Sequence, residues 1–439
     1  MSAAMSVQTA TPPRSRSDER ARELLRWLIR DYHPRDLAVR WPDGQIWPAE
    51  TATPSFTLVL KHAGSLRRMF WPPKGLTLAE AYLFDDYDLD GDIETWWQFA
   101  NHLRERHWSI ADRVRFFRHL RRLPKSLPNG RVGEEDPAAR FDGAEHSPAR
   151  DRQSIQHHYD VSNEFYSLWL DRRCVYTCAY FPTQDASLDA AQESKLDYVC
   201  RKLRLKPGER LLDVGCGWGA LAIHAAKRYG ASVVGVTLSD EQVRLARQRV
   251  EEAGLKERVE IQLLDYRHVP GEAVFDKVVS VGMLEHVGDA QFPAYLAATW
   301  RLLKPGGVFL SHGIALNTDR KMPKPPTFAS KYVFPNGELI RLSRNLEHCE
   351  NAGFEVRDVE SLREHYYLTC RHWLRRLEAR ADEARAIVGE ATYRVWRLYL
   401  AISALGFRVG WFNLYQTLLV KASDGRAGLP LTREDWYKR

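Results

Sequence analysis

The stretch Leu211-Leu212-Asp213-Val214-Gly215-Cys216-Gly217-Trp218-Gly219 constrains the fold more than any other part of the chain. An apolar strand runs into glycines at alternate positions and then into a helix, Ala220 to Arg228, with helical apolar spacing. Glycines at 215, 217 and 219 let the backbone turn sharply and let a guest approach without meeting a Cβ, while the helix offers its N-terminal amides. Such a unit belongs in a parallel sheet, and a nucleotide-like cofactor is its natural guest. Glycine turns after strands also serve packing alone, so the accompanying pattern decides the reading.

That pattern is an alternation. The sequence predicts strands at Arg210–Val214, Ser232–Thr237, Val259–Leu264, Lys277–Val281 and Gly307–His312, with helices at Ala220–Arg228, Asp240–Ala253 and Gln291–Leu303 between them. Strands alternating with helices argue an α/β, doubly wound, Rossmann-like sheet. After His312 a mostly helical insertion, about 317–408, is expected, with helices over Phe334–Gly353 and Tyr366–Arg408 around a strand at Phe354–Val359. A final strand, Gln416–Lys421, is expected to close the sheet, and the insertion to roof the crevice at the carboxyl ends of the strands.

Residues 1–18, rich in Ser, Thr, Pro and Ala, read as a disordered tail. Residues 19–123 form a smaller α+β module, with helices Ala21–Tyr32 and Thr77–Phe84 and strands around Leu37–Trp41, Phe56–Lys61 and Met69–Trp71. Prolines, glycines and charges without apolar period mark 124–152 as a linker, and 153–439 is the sheet-bearing module. Asp86 to Ile93 matches the first eight positions of a calcium loop, but the twelfth is Trp97 where a bidentate glutamate is needed, so a solvated acidic loop without metal is expected.

The formal net charge is +7, and the segment from Arg104 to Arg131 carries an equal surplus, nine basic side chains against Glu105 and Asp112. No nucleic-acid motif accompanies it, so nucleic acid is not an expected partner. Six cysteines without a C-x-x-C pair read as reduced thiols in a cytoplasmic protein. No apolar run approaches the roughly 18 residues of a membrane span, and the first twenty residues contain no signal-peptide core.

Asp213 ahead of the turn, with Trp218-Gly219 in place of the dinucleotide fingerprint's third-glycine spacing, resembles the S-adenosylmethionine (SAM) turn of class I methyltransferases. Further motifs follow in order: His157-His158-Tyr159-Asp160-Val161-Ser162-Asn163-Glu164-Phe165-Tyr166, Tyr176-Thr177-Cys178-Ala179-Tyr180-Phe181, Thr237-Leu238-Ser239 with Gln242, Gly282-Met283-Leu284-Glu285-His286-Val287-Gly288, and Tyr332-Val333-Phe334-Pro335-Asn336-Gly337. Together they resemble the cyclopropane-fatty-acyl-phospholipid synthases and their relatives, the mycolic acid cyclopropane synthases, from His157 to Lys421. Gly75-Leu76-Thr77-Leu78-Ala79-Glu80-Ala81-Tyr82 is similar, less strongly, to the N-terminal domain of the bacterial phospholipid enzymes.

The resemblance implies methylene transfer from SAM to the cis double bond of an unsaturated phospholipid acyl chain, by a peripheral protein at the inner face of the membrane, with homodimerisation through the first module. It places SAM contacts on Tyr176, Thr177, Asp213, Gly215, Cys216, Gly217, Gly219, Thr237, Gln242, Tyr266 and Arg267. It places a bicarbonate base on Cys178, Glu285, His312, Ile314 and Tyr366. Where the family usually has a cysteine in the late helix, this chain has Ser403.

The chemistry suits these residue types. Attack of an alkene on a sulfonium methyl leaves positive charge on the lipid chain, which aromatic faces such as Tyr176, Tyr180, Phe181, Tyr366, Tyr367 and Trp373 can stabilise while excluding water. A base must then remove a proton from the new methyl group. Glu285, after the fourth strand, and His312, ending the fifth, both face the cofactor's methyl end. Alternatives are a methyltransferase that stops at a methyl-branched or methylene chain, one that methylates a small amine, and a catalytically silent lipid-binding relative. A helix from Ser109 would place Ile110, Val114, Phe117 and Leu120 on one face and Arg115, Arg118 and Arg122 on another. Two readings of it stand: a helix resting on anionic headgroups, or a docking helix with a solvated basic face.

Overall fold

The computed structural model describes residues 15–125, 138, 150, 153, 162–317, 324–335 and 337–437. The chain divides into two compact units, Met1–Glu135 and Asp136–Arg439. The predicted linker and the motif from His157 to Val161 lie almost wholly outside the described residues, as does most of the predicted tail.

The first unit runs α1 (Arg16–Leu28), β1 (Leu37–Arg40), β2 (Ile46–Trp47), β3 (Phe56–Leu60), α2 (Ser65–Phe70), α3 (Gly75–Leu83), β4 (Tyr87–Gly91), α4 (Ile93–Glu105) and α5 (Ile110–Arg122). Its sheet has the order β2-β1-β3-β4, with β1 and β3 parallel and the outer pairs antiparallel. Three expectations are corrected here. Met69–Trp71 is no strand: Leu66 and Met69, three apart, are both buried, and the segment belongs to α2 and its end. The acidic stretch is no loop: Tyr87 and Leu89 alternate inward with Asp88 and Asp90 outward, the period-two pattern of an edge strand, and Asp92 then caps α4 by accepting from the Glu94 N–H at 2.8 Å.

The third correction concerns α5. Ser109 caps it, and its inward stripe is Phe116 and Leu120, Phe116 stacking on Trp27 of α1 at 6.4 Å. Ile110, Val114 and Phe117 share a face, as their spacing predicts, but Leu120 does not join them and the face turns to solvent, Ile110 being 83% and Val114 52% exposed.

The second unit runs α6 (Asn163–Trp169), α7 (Leu188–Lys202), β5 (Arg210–Val214), α8 (Ala220–Tyr229), β6 (Ser232–Thr237), α9 (Asp240–Glu252), β7 (Val259–Leu263), β8 (Phe275–Val281), α10 (Leu284–Val287), α11 (Phe292–Leu302), β9 (Leu303–Leu316), α12 (Phe328–Tyr332), α13 (Leu342–Asn351), β10 (Glu355–Ser361), α14 (Arg363–Ala379), α15 (Ala381–Arg408) and β11 (Phe412–Val420). The strand order is β10-β11-β9-β8-β5-β6-β7, with β5 to β9 parallel. Leu211 and Leu212 of β5, both fully buried, enter two different core clusters, one on each sheet face. That is why helices cover both sides: each face of the central strand must be buried.

The last strand does not close the sheet. β11 inserts antiparallel between β9 and β10, and β10 forms the edge. Likewise His312 does not end its strand; β9 continues to Leu316, with His312 level with Val281, where β8 ends. The helix expected over Phe334–Gly353 is shorter, α13 alone, with the separate α12 ending ahead of Phe334, and α15 is broken at Gly389.

Candidate active site

The glycine turn lies over the end of β6, where the Gly215 and Cys216 N–H groups both donate to the Val236 carbonyl, at 2.9 and 3.0 Å. Its glycines answer to different demands. Gly215 (φ +80°) is tight: a Cβ there would lie 2.6 Å from Met283 Cγ. Gly217 (φ +54°) faces open space within 4 Å, which is the room a guest requires. The Cys216 thiol points away from that opening, into the sheet against Gly235.

Strand order spreads the remaining predicted residues along the crevice. Beyond β6, Thr237 Oγ1 donates to Gln242 Oε1 at 2.7 Å. Beyond β7, Asp265 caps the turn Tyr266–His268 and binds the Arg267 guanidinium at 2.6 Å, while Tyr266 packs edge-on against Tyr295. On the other side of the turn, Thr177 Cγ2 lies 3.0 Å from where Gly282 would carry a Cβ. In strand order, His312 and Glu285 thus stand on one side of the turn and Thr237 and Tyr266 on the other.

Three helices hold these residues in place. Gln192 of α7 donates its amide to the Thr177 carbonyl at 2.8 Å, and buried Lys195 donates to Thr177 Oγ1 at 3.0 Å. Burial pulls the Lys195 ammonium down to about 8 against the opposing charges of Asp171 and Asp213. It pushes the Asp213 carboxyl up to about 7, with Lys195 resisting, and Asp213 Oδ2 has no hydrogen-bond partner. Trp218 Nε1 donates to Asn163 Oδ1, and Asn163 donates to Glu241, both at 2.7 Å, tying α6 and α9 to the turn.

At the end of β8 the polar groups converge. The Ile314 N–H donates to Glu285 Oε1 at 2.8 Å, while Glu285 Oε2 is sealed from solvent and unpartnered. Burial pushes this carboxyl up to about 7 against that hydrogen bond. His312, 2% exposed, is held well below its ordinary range by burial, with the Lys195 and Lys202 charges adding, so it is neutral. Gln416, its register partner on β11 and fully buried, donates to His312 Nδ1 at 3.1 Å. With the amide so oriented, the ring proton sits on Nε2, which is buried and unpartnered. Burial raises the Tyr366 phenol well above its ordinary value, and the nearby Glu285 carboxylate acts in the same direction. The Cys178 thiol is fully buried, held protonated, and lies 3.9 Å from the Leu362 carbonyl. The structure therefore brings Glu285, His312, Ile314, Tyr366 and Cys178 to one end of the crevice.

An aromatic wall completes it. Tyr176 packs against Tyr166, Trp169 and Trp373 at centroid distances of 5.6, 5.3 and 5.1 Å, and Tyr366 against Trp373 and Phe407 at 5.9 and 4.5 Å. Trp396 and Tyr399 of α15 join it, the Tyr399 phenol lying against the hydroxyls of Ser403 and Tyr176. Tyr180 and Phe181 do not belong to the wall; they stack on His365 and His372. Tyr367 sits under Arg371 instead. Sequence reading missed Lys195, Gln416, Trp169, Trp396 and Tyr399. Only Gln416 left a trace, a polar residue in an apolar strand run.

A family model described as mycolic acid cyclopropane synthetase matches residues 146–417. The chain is 42% identical over 393 residues to a probable fatty acid methyltransferase of Pseudomonas putida, covering 88% of this chain and 92% of that protein. It is 39% identical over 276 residues to the cyclopropane-fatty-acyl-phospholipid synthase of Escherichia coli, covering 63% and 69%. The solved structure of mycolic acid cyclopropane synthase CmaA1 complexed with SAH and CTAB matches with a TM-score of 0.58 at 34% identity, over 61% of this chain and 97% of that one. A sheet of this strand order, a glycine turn with an open face and a match across most of the chain lead to one assignment: the protein belongs to the mycolic acid cyclopropane synthetase family of SAM-dependent methyltransferases.

Proposed function

We propose that the protein transfers a one-carbon group from SAM to the cis double bond of an unsaturated phospholipid acyl chain and closes it to a cyclopropane. One observation carries this reading: two buried, unpartnered polar atoms, Glu285 Oε2 and His312 Nε2, stand beside an aromatic wall. Methylating an amine requires no base for the transferred methyl; closing a ring does, because a proton must leave that methyl.

Bound SAM supplies an electrophilic methyl group, and the open face at Gly217 with the first amides of α8 fits its binding. The aromatic wall excludes water and faces positive charge developing on the acyl chain, worth about 2 kcal/mol per desolvated cation–π contact. The donor set also fits a small oxyanion: His312 Nε2–H and the Tyr366 hydroxyl would hold bicarbonate, Glu285 Oε2 would accept from its hydroxyl, and the ion would supply a base where a bare carboxylate is costly. Glu285 is anchored for this through Oε1 by the Ile314 N–H. Gln416 acts as a positioning residue that fixes the His312 tautomer.

A second reading, a methyl-branched or methylene product, is favoured by Ser403 beside Tyr399 and by the relative named a fatty acid methyltransferase. We place the protein peripherally, at the inner leaflet, because the substrate read for the site is a membrane phospholipid; no described helix is long and apolar enough to cross a membrane. The test is incubation with SAM and vesicles of monounsaturated phospholipid, then mass analysis of the fatty acids. Gain of one CH2 with loss of the alkene supports the cyclopropane; the same gain with the alkene retained supports the second reading. An unchanged chain despite SAM binding refutes both.

A further inference from the structure

On α5, Ile110, Val114 and Phe117 at i, i+4 and i+7 form an apolar stripe facing solvent, continued by Arg121. Trp71, 41% exposed, packs edge-on against Phe117 at 5.5 Å and widens it. Arg113 and Arg118 border the stripe on its two sides, and Arg122 lies beyond Arg118. The guanidinium groups of Arg113, Arg118, Arg121 and Arg122 are exposed and make no ion pair among the described residues. Burying Phe116 and Leu120 accounts for the fold of this helix, yet it leaves a second apolar stripe in water. Large exposed aliphatic groups flanked by unpaired arginines are the pattern of a helix that lies in the plane of a bilayer interface.

We propose that this face of α5 is the docking surface for an anionic phospholipid bilayer. Ile110, Val114 and Trp71 enter the headgroup–acyl boundary, and Arg113, Arg118 and Arg121 bind lipid phosphates. Charge complementarity selects this occupant: four unpaired cations on one helix match an anionic partner, and the apolar stripe between them matches one with a hydrocarbon layer beneath its charges. The inference rests on the lipid-substrate reading above, but it concerns attachment and not chemistry.

Co-sedimentation of the full-length protein with vesicles tests it without turnover. The protein is expected to bind vesicles containing phosphatidylglycerol, to bind pure phosphatidylcholine far less, and to be released by salt. Each arginine near the surface is worth about fivefold in partitioning, so Arg113→Glu/Arg118→Glu/Arg121→Glu should cut binding by at least on the order of a hundredfold. Ile110→Ser/Val114→Ser should weaken it while leaving the salt dependence. All these side chains are exposed, so unchanged circular dichroism and SAM binding, and retained activity on detergent-dispersed substrate, are expected of both variants. Vesicle binding equal to wild type in both variants overturns the proposal, as does a wild type that ignores anionic vesicles. So does a patch variant that changes only the oligomeric state, since a second copy would then be the occupant. A protein that sediments through α5 yet makes no product would refute the enzymatic reading and leave the docking surface standing.

Discussion

The two units bury carboxylates in opposite ways. In the first, Asp86 is 3% exposed and held on both oxygens, by His62 Nε2 and Arg68 Nε, each at 3.0 Å. In the second, Glu285 and Asp213 each keep a buried oxygen with no partner. A satisfied buried charge fixes a fold, whereas an unsatisfied one costs stability and persists where something else is to bind. The second unit also contains its own control. Fully buried Lys202 meets Asp358 at 3.4 Å and Glu360 at 2.5 Å, at the sheet edge formed by β10. The contrast therefore follows position relative to the strand ends and not the size of the unit.

The sharpest way to break this comparison is Glu285→Gln. Product formation should fall by about 10³-fold, within the range for loss of a positioned base, with SAM binding unchanged and thermal stability no lower than wild type. A drop in melting temperature with residual turnover would make Glu285 another Asp86. The converse change, Asp86→Ala, should lower the stability of the first unit by about 3 kcal/mol, because it strands Arg68 and His62. Turnover on dispersed substrate by the folded protein should not change.

The pH dependence sharpens it further. The carboxyl of Glu285 is raised from 4.5 to about 7 on folding, so its contribution to stability is full below its unfolded value and is lost as pH rises through about 7. The loss amounts to about 3 kcal/mol, and Asp213 acts in the same direction. Activity should run the other way and rise through pH 7, since only the ionised Glu285 can accept. Melting curves of wild type and Glu285→Gln between pH 5 and 8 should diverge accordingly; parallel curves would remove the carboxyl from the explanation. The smallest effect expected is that of Gln416→Leu, about 10- to 100-fold in activity, with a raised requirement for added bicarbonate. A purely structural glutamine would alter stability and leave that requirement as it was.

The glycine turn was legible in the sequence because backbone geometry dictates glycine where Met283 presses on Gly215. The positions of strands β5 to β9 along the chain were legible because each holds a short cluster of apolar residues set between helical segments. Glu285, His312 and Tyr366 were legible only through family resemblance, for a glutamate after a strand has no pattern of its own. Lys195 was invisible and Gln416 showed only as a polar residue in an apolar run, since their meaning comes from Thr177 and His312, distant in sequence and adjacent only after folding. α5 shows another limit. Its periodicity displays two apolar stripes, Ile110/Val114/Phe117 and Phe116/Leu120, and only packing against Trp27 decides which one is inside. In β4 the alternation was present, but four aspartates in eight residues obscured it.

The most direct test uses SAM with a trideuterated methyl group and a monounsaturated phospholipid. If Glu285 and His312 serve removal of a proton from the transferred methyl, the product is a saturated ring retaining two of the three deuterons, and Glu285→Gln yields none of it. A product retaining all three deuterons would mean that the base never acts on that methyl, and would contradict the role assigned to the unpartnered carboxylate.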